Sequence, residues 1–406
     1  MPVLVDITQL AVCPFEGGQA EIGLVSDAAL VWEGDTIRWA GPAADLPDAF
    51  AGWPRGSAGG RLVIPGLVDC HTHLAFGGDR AGEFEQRLLG TPYLEIARQG
   101  GGIASTMRAT RAASEEELQG RARAALDQML RLGVTTVECK SGYGLTTADE
   151  LKLLRVYRRL GEEGPQRIVP TFLGAHVVPP EHRDDRAAYL RLLTDEMIPQ
   201  VAREGLARFC DAFVEDTAFT PDEARAIFAA ARSCGLVPKL HADQLTDTGG
   251  AALAAGVGAA SADHLECISE EGVRAMAEAG VVAVSLPIAT LVLGQAPMPA
   301  RRLIEAGVPV AVATDYNPGS APSFDLHLAL WLACTRQRMT PAEALKGATI
   351  YAARALLLDD EIGSLEPGKR ADFAIVDAPS VTHWLYHFRA ETAVRTVLGG
   401  ETAWVR

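Results

Sequence analysis

The sequence predicts an α/β protein, a (β/α)8 barrel of the TIM type with a small β-sandwich domain formed from both chain ends. Three observations predict it. Between about Val68 and Leu358, short β-branched or apolar runs alternate with amphipathic helical stretches, the pattern of repeated β–α units and a parallel sheet. The first sixty or so residues and the C-terminal tail read instead as short strands joined by Gly and Asp turns, without helical partners. Five of the nine histidines fall at predicted strand ends, where a barrel gathers chemistry on one face.

In chain order, segment 1–63 supplies short strands such as Ala29–Glu33 and Thr36–Trp39, which are expected to pair with strands from 360–406. Segment 64–359 is the expected barrel. Its candidate strands end near His71–His73, Glu138–Lys140, Gly174–His176, Phe213–Glu215, Lys239–His241, Ala262–His264, Val284–Leu286 and Ala313–Asp315. Ser114 with Glu117, Thr220 with Glu223 and Thr340 with Glu343 have capping-box spacing, the last two with Pro in the first helical position. Gly133 and Gly235 sit where two helices should stop. Eight units satisfy a closed barrel, although counting alone leaves a doubly wound open sheet as the alternative.

The bulk composition narrows the function. A chain of 406 residues, 48% of them apolar, is long enough for one large core and a satellite domain. A net charge of −15 repels phosphate backbones, and no Lys/Arg run reverses it locally, so nucleic acid is not an expected partner. The seven cysteines are odd in number and scattered without a C-x-x-C pair, which suits a reducing compartment. The start, Met1-Pro2-Val3-Leu4-Val5-Asp6, lacks a signal-peptide pattern, and no charge-free apolar run is long enough for a membrane helix. A cytoplasmic enzyme without membrane attachment is expected.

The candidate chemistry begins at Pro65-Gly66-Leu67-Val68-Asp69-Cys70-His71-Thr72-His73. Residues two apart on a strand point to the same side, so His71 and His73 can share one ion inside a barrel. The bland alternative is a buried, hydrogen-bonded pair. Together with His241 after strand five and Asp315 after strand eight, this string resembles the amidohydrolase superfamily over nearly the whole chain. The resemblance implies one divalent metal ion, zinc or iron, bound by His71, His73, His241 and Asp315, since imidazole and carboxylate donors suit both metals. For Asp315 the bland alternative is a helix N-cap. Lys140 invites a two-metal reading with a carboxylated lysine bridge, but it lies on strand two rather than strand four, so a single ion is expected.

Within that superfamily the motifs Gly77-Gly78-Asp79-Arg80, Gly100-Gly101-Gly102-Ile103, Lys140-Ser141-Gly142-Tyr143-Gly144-Leu145 and Thr314-Asp315-Tyr316-Asn317-Pro318-Gly319 resemble the imidazolonepropionase family. The resemblance implies hydrolysis of 4-imidazolone-5-propanoate to N-formimidoyl-L-glutamate in histidine degradation, in a pocket lined by Arg80, Tyr93, Tyr143, His176, Gln244, Asn317, Gly319 and Ser320. Arg80 suits the carboxylate of a small anionic substrate through charge-assisted hydrogen bonds. Tyr93, Tyr143 and His176 can equally be packing rings. Asp315 is expected to move the proton and His264 to polarise the carbonyl or stabilise the oxyanion, unless His264 serves only as a partner to the metal ligands. Deaminases on this scaffold place a Glu three residues after the strand-five histidine; here Gln244 stands there and cannot exchange a proton. The rivals are therefore a nucleobase or aromatic-amine deaminase and a non-catalytic scaffold. A homodimer is expected from the architecture, although no residue marks an interface.

Overall fold

A computed structural model describes residues 3–91, 95, 100–389 and 392–406. The N-terminal strands are β1 (Val3–Ala11), β2 (Leu24–Glu33), β3 (Thr36–Pro42) and β4 (Arg55–Pro65). Eight further strands follow: β5 (Leu67–Asp69), β6 (Val134–Lys140), β7 (Arg167–Ala175), β8 (Phe209–Val214), β9 (Val237–Ala242), β10 (Ser261–His264), β11 (Val282–Ser285) and β12 (Val310–Val312). They pair in sequence order, each parallel to the last. Helices cover the outside, so strands such as β6 are buried along their whole length, and their near-continuous β-branched and apolar runs follow from having no solvent face.

The two ends of this sheet meet just beyond the regular strands. The Asp315 N–H donates to the His71 carbonyl at 3.0 Å, the His73 N–H donates to the Tyr316 carbonyl at 2.9 Å, and Thr72 bridges Tyr316 in parallel. These contacts decide for a closed barrel over an open sheet. They also place metal-ligand candidates from the first and last strands side by side. The sequence ran the first strand on to His73, whereas the regular ladder stops at Asp69, and beyond it single bonds tie the chain to both sides, to Asp315 and Tyr316 after β12 and, through the Lys140 N–H donating to the Thr72 carbonyl at 2.8 Å, to β6.

Both chain ends build a second sheet of seven strands in the order β15-β14-β13-β4-β1-β2-β3, with β13 (Phe373–Val376), β14 (Ala393–Leu398) and β15 (Glu401–Val405). It is bent on itself: Trp32 of β2 meets Phe373 of β13 edge to face at 5.2 Å, although two strands separate them in the hydrogen-bonded order. Leu4, Leu30, Val63, Ile375 and Val397 fill the space between, a core distinct from that of the barrel.

The helix signals act as the sequence predicts. All three capping boxes are formed, starting the helices Glu115–Arg131, Pro221–Ser233 and Pro341–Gly347. Gly133 follows the first of these at φ +89°, a conformation L side chains avoid, and its missing Cβ lets Ala374 of β13 pack against the turn. Among the described residues no helix is long and apolar enough to cross a membrane.

Candidate active site

The C-terminal ends of the barrel strands surround a cavity of about 600 Å3 lined by His73, Arg80, Tyr143, His176, His241, Gln244, His264, Asp315, Asn317, Gly319 and Ser320, among others. The described residues expected from sequence to form the site therefore converge, with His71 lying directly beneath. Tyr93 lies outside the described residues. A cavity of similar size, about 660 Å3, indents the β-domain at Val5–Thr8 and Asp27, and none of the expected site residues reaches it.

At the cavity floor the imidazoles of His71, His73 and His241 turn their Nε2 atoms inward. His71 Nε2 and His73 Nε2 lie 3.4 and 3.5 Å from Asp315 Oδ1, and His241 Nε2 lies 3.5 Å from His73 Nε2. His71, His73 and Asp315 each present a donor atom within 4.8 Å of the others. His71 Nε2 is buried with no hydrogen-bond partner, which a neutral imidazole tolerates only if something else takes its lone pair. Burial, reinforced by Lys140 and the neighbouring rings, pushes His71, His73 and His241 well below the usual imidazole range, and burial pushes Asp315 well above the carboxylate range. Three neutral imidazoles beside a carboxyl that lacks a cation fit a divalent metal ion.

The backbone is strained where the chemistry gathers. His264 and Asp315 adopt φ of +80° and +56°, left-handed values rare for residues with side chains. His264 is the last residue of β10 and Asp315 lies three residues past β12, and both side chains line the cavity.

Around the floor, the wall is built by buried polar anchors. His176 stacks on His73 at 5.3 Å, and its Nδ1 faces the Gly142 carbonyl at 3.0 Å. Tyr143 rides on a loop held by Glu150, whose carboxylate accepts from the backbone N–H groups of Gly142, Gly144 and Leu145 at 2.8–3.0 Å. Asp243 holds the turn carrying Gln244 in the same way, accepting from Gly250 and Ala251 N–H groups at 2.9 Å. Arg80 reaches the cavity with its Nε donating to Thr106 Oγ1 at 2.9 Å, and among the described residues it has no carboxylate partner. Gly319 leaves room for this guanidinium, because a Cβ there would sit 2.4 Å from Arg80 Nη1 and displace it. Asn317 spends its side chain on its own loop: Nδ2 donates to the Asp315 carbonyl and Ser320 Oγ, and Oδ1 accepts from the N–H groups of Gly319 and Ser320.

Several residues were not singled out from the sequence. Glu138, Asp211, Lys239 and Asp263 lie fully buried below the histidines, and Lys140 joins them there with its Nζ 2.8 Å from Asp211 and 3.0 Å from Glu138. That ion pairing, on the second barrel strand, leaves Lys140 no part as a metal bridge. Glu266 is 3% exposed side chain, 3.8 Å from His264 Nδ1, with neither oxygen hydrogen-bonded; burial pushes its carboxyl up to about 8. The overlooked signal is a charged residue at a two-residue step inside an apolar strand, as in Glu138/Lys140 and Lys239/His241.

Residues 62–403 match the model of the amidohydrolase family. The chain is 48% identical over 386 residues to an imidazolonepropionase of Geobacillus kaustophilus, covering 94% of this chain and 91% of that one. It is 51% identical over 375 residues to an imidazolonepropionase of Pseudomonas aeruginosa, with 91% and 92% covered. Among solved structures, a zinc-bound adenosine deaminase from Xanthomonas campestris superposes with a TM-score of 0.72 at 19% identity, covering 98% of this chain and 92% of that one. A 5-methylcytosine deaminase from Klebsiella pneumoniae reaches 0.74 at 18%, with 100% and 98% covered. These structures share the fold at low identity, whereas the imidazolonepropionases match about half of all positions over most of both chains, and the chain belongs to the imidazolonepropionase family of amidohydrolases.

Proposed function

We propose that this chain hydrolyses the ring C–N bond of 4-imidazolone-5-propanoate to N-formimidoyl-L-glutamate, a step of histidine degradation. The observation that carries the reading is an Arg80 guanidinium without a carboxylate partner among the described residues, lining the same cavity as His73, His241 and Asp315, which cluster with His71. An anionic substrate held by Arg80 and the Tyr143 hydroxyl presents its ring to that cluster. The four side chains would hold one metal ion, zinc or iron. When bound, such an ion lowers the pKa of a water from 15.7 towards about 7 and polarises a carbonyl.

The protein's own groups then have distinct tasks. His176 and Gln244 orient the ring, one by stacking and one by hydrogen bonds, while Gly319 and Ser320 close the wall on the loop that Asn317 pins. Asp315 accepts a proton from the attacking water and delivers it to the leaving ring nitrogen, so the acyl carbon gains oxygen as the nitrogen gains hydrogen. His264, aimed inward by its strained backbone, stabilises the oxyanion. Gln244 offers no exchangeable proton, which argues against a deaminase. A cytoplasmic homodimer completes the reading: every cysteine is free, as a reducing compartment requires, and Tyr386 and Phe388 are exposed apolar surface that a second copy would cover. The test is to mix the metal-analysed protein with freshly generated imidazolone propionate and follow the imidazolone absorbance. Decay that stops on chelation and in Arg80→Ala supports the proposal; no decay with metal-replete protein overturns it.

A further inference from the structure

Below the histidines the barrel encloses five charged side chains, all with no solvent exposure. Lys140 Nζ lies 2.8 Å from Asp211 Oδ2, 3.0 Å from Glu138 Oε1 and 3.4 Å from Asp263 Oδ2, and Lys239 Nζ lies 2.6 Å from Glu138 Oε2. Three carboxylates face two ammonium groups, so the layer is one positive charge short. A buried excess charge is costly unless a counter-ion offsets it. The layer is not sealed off from the site. The same Asp263 Oδ2 that faces Lys140 meets His71 Nδ1 at 2.6 Å, and the same Asp211 Oδ2 faces His241 Nδ1 at 3.1 Å. Ser261 Oγ donates to the other oxygen of Asp263 at 2.6 Å, and Thr171 Oγ1 donates to Glu138 at 2.5 Å, so two of the three carboxylates are fixed from a second side.

We propose that Lys140, Asp211 and Asp263 form the positioning unit of the metal site: one lysine clamps two aspartates, which hold His71 and His241 with Nε2 towards the ion whose charge completes the layer. None of the three lines the cavity. Asp263, in hydrogen-bond contact with His71 Nδ1, fixes the Nδ1–H tautomer of that ring and makes its Nε2 a better donor, the way outer carboxylates tune histidine ligands, while Asp211 sets its charge 3.1 Å from His241 Nδ1 without a formed hydrogen bond. Lys140 holds both aspartates in place, its Nζ 2.8 Å from Oδ2 of Asp211 and 3.4 Å from Oδ2 of Asp263. The bland alternative is a purely structural ion network. It differs in one respect: a structural network stabilises the metal-free protein, whereas an under-neutralised layer is relieved by losing a carboxylate.

This inference rests on the metal-binding reading above, and its test does not use turnover. Zn2+ affinity of the purified metal-free protein is measured by chelator competition, with thermal unfolding of the metal-free form in parallel, for wild type, Asp263→Asn, Lys140→Met, the double variant and Ser261→Ala. Asp263→Asn is expected to weaken Zn2+ binding by about 10–100-fold while the metal-free protein melts no lower than wild type. Lys140→Met is expected to weaken it too, and the double variant to lose less than the product of the two singles, because Lys140 acts through Asp263. Ser261→Ala keeps every charge, and a several-fold loss in affinity supports the proposal even if Lys140→Met does not fold. Unchanged affinity in Asp263→Asn overturns it, as does a lowered melting point of metal-free Asp263→Asn with normal affinity, or a multiplicative double variant. If wild type binds Zn2+ and the series behaves as stated while imidazolone propionate is untouched, the substrate reading falls and this one stands.

Discussion

His264 and Glu266 form a pair whose polar atoms the fold leaves waiting. His264 Nδ1 and both Glu266 oxygens are buried without hydrogen-bond partners, and desolvation of such groups costs about 1–3 kcal/mol each. His264→Asn keeps a hydrogen-bond donor but not the imidazole; it should leave metal content intact and lower kcat by at least about 100-fold, the loss typical of a removed oxyanion donor. Normal kcat in that variant would remove His264 from the chemistry. For Glu266 the sign follows from its raised carboxyl, at about 8 in the folded chain against 4.5 for the ordinary group, chiefly through burial. Between those values the folded state holds a proton that the unfolded chain releases, so this group's contribution to stability declines as pH rises through that window. Glu266→Gln should flatten the decline and gain most over wild type near pH 8. Denaturant melts at pH 5 and pH 8 test it, and an equal shift at both pH values would contradict it.

At the scale of elements, a loop's precision comes from one carboxylate placed at a helix start. Glu150 lies in the first turn of the helix Thr147–Glu163 and gathers three N–H groups of the loop bearing Tyr143. Glu150→Ala strands those donors in a buried site. It should cost about 2–4 kcal/mol in chemical denaturation and raise KM for the imidazolone more than it lowers kcat, because Tyr143 loses its position. A destabilised variant with unchanged KM would show that the loop keeps its shape without this anchor. The helix boundaries were legible because caps are local: Ser114, Thr220 and Thr340 act on N–H groups three residues away. Glu150 was not, because its partners precede it in a loop whose path no local pattern encodes.

At the scale of the molecule, a metal ion that binds only the folded chain should stabilise it by mass action. Chelation of the loaded protein should lower its thermal midpoint, and added Zn2+ or Fe2+ should restore it in a concentration-dependent way. An unchanged midpoint would mean that the site is preformed and holds no ion tightly. The relation between the two sheets belongs to this scale as well: β4 leads from the bent outer sheet straight into β5, so the strand preceding His71 and His73 is fixed by β1 and β13 on either side.

The sequence by itself determined the periodic and the local. Eight apolar runs spaced by amphipathic helices, three capping boxes, and histidines at strand ends each encode their structure within a few residues, and the site motifs at Arg80, Tyr143 and Asp315 are contiguous strings. Only the tertiary structure decided what depends on partners far apart in the chain: that the first and last strands close through His71, His73, Asp315 and Tyr316, that Asn317 serves its own loop, and that Glu138, Lys140, Asp211, Lys239 and Asp263 form one charge layer beneath the site. Those five come from four strands spanning more than a hundred residues. In sequence each is a charge set in a mostly apolar strand, and its energy depends on which opposite charges closure of the barrel places within about 3 Å of it.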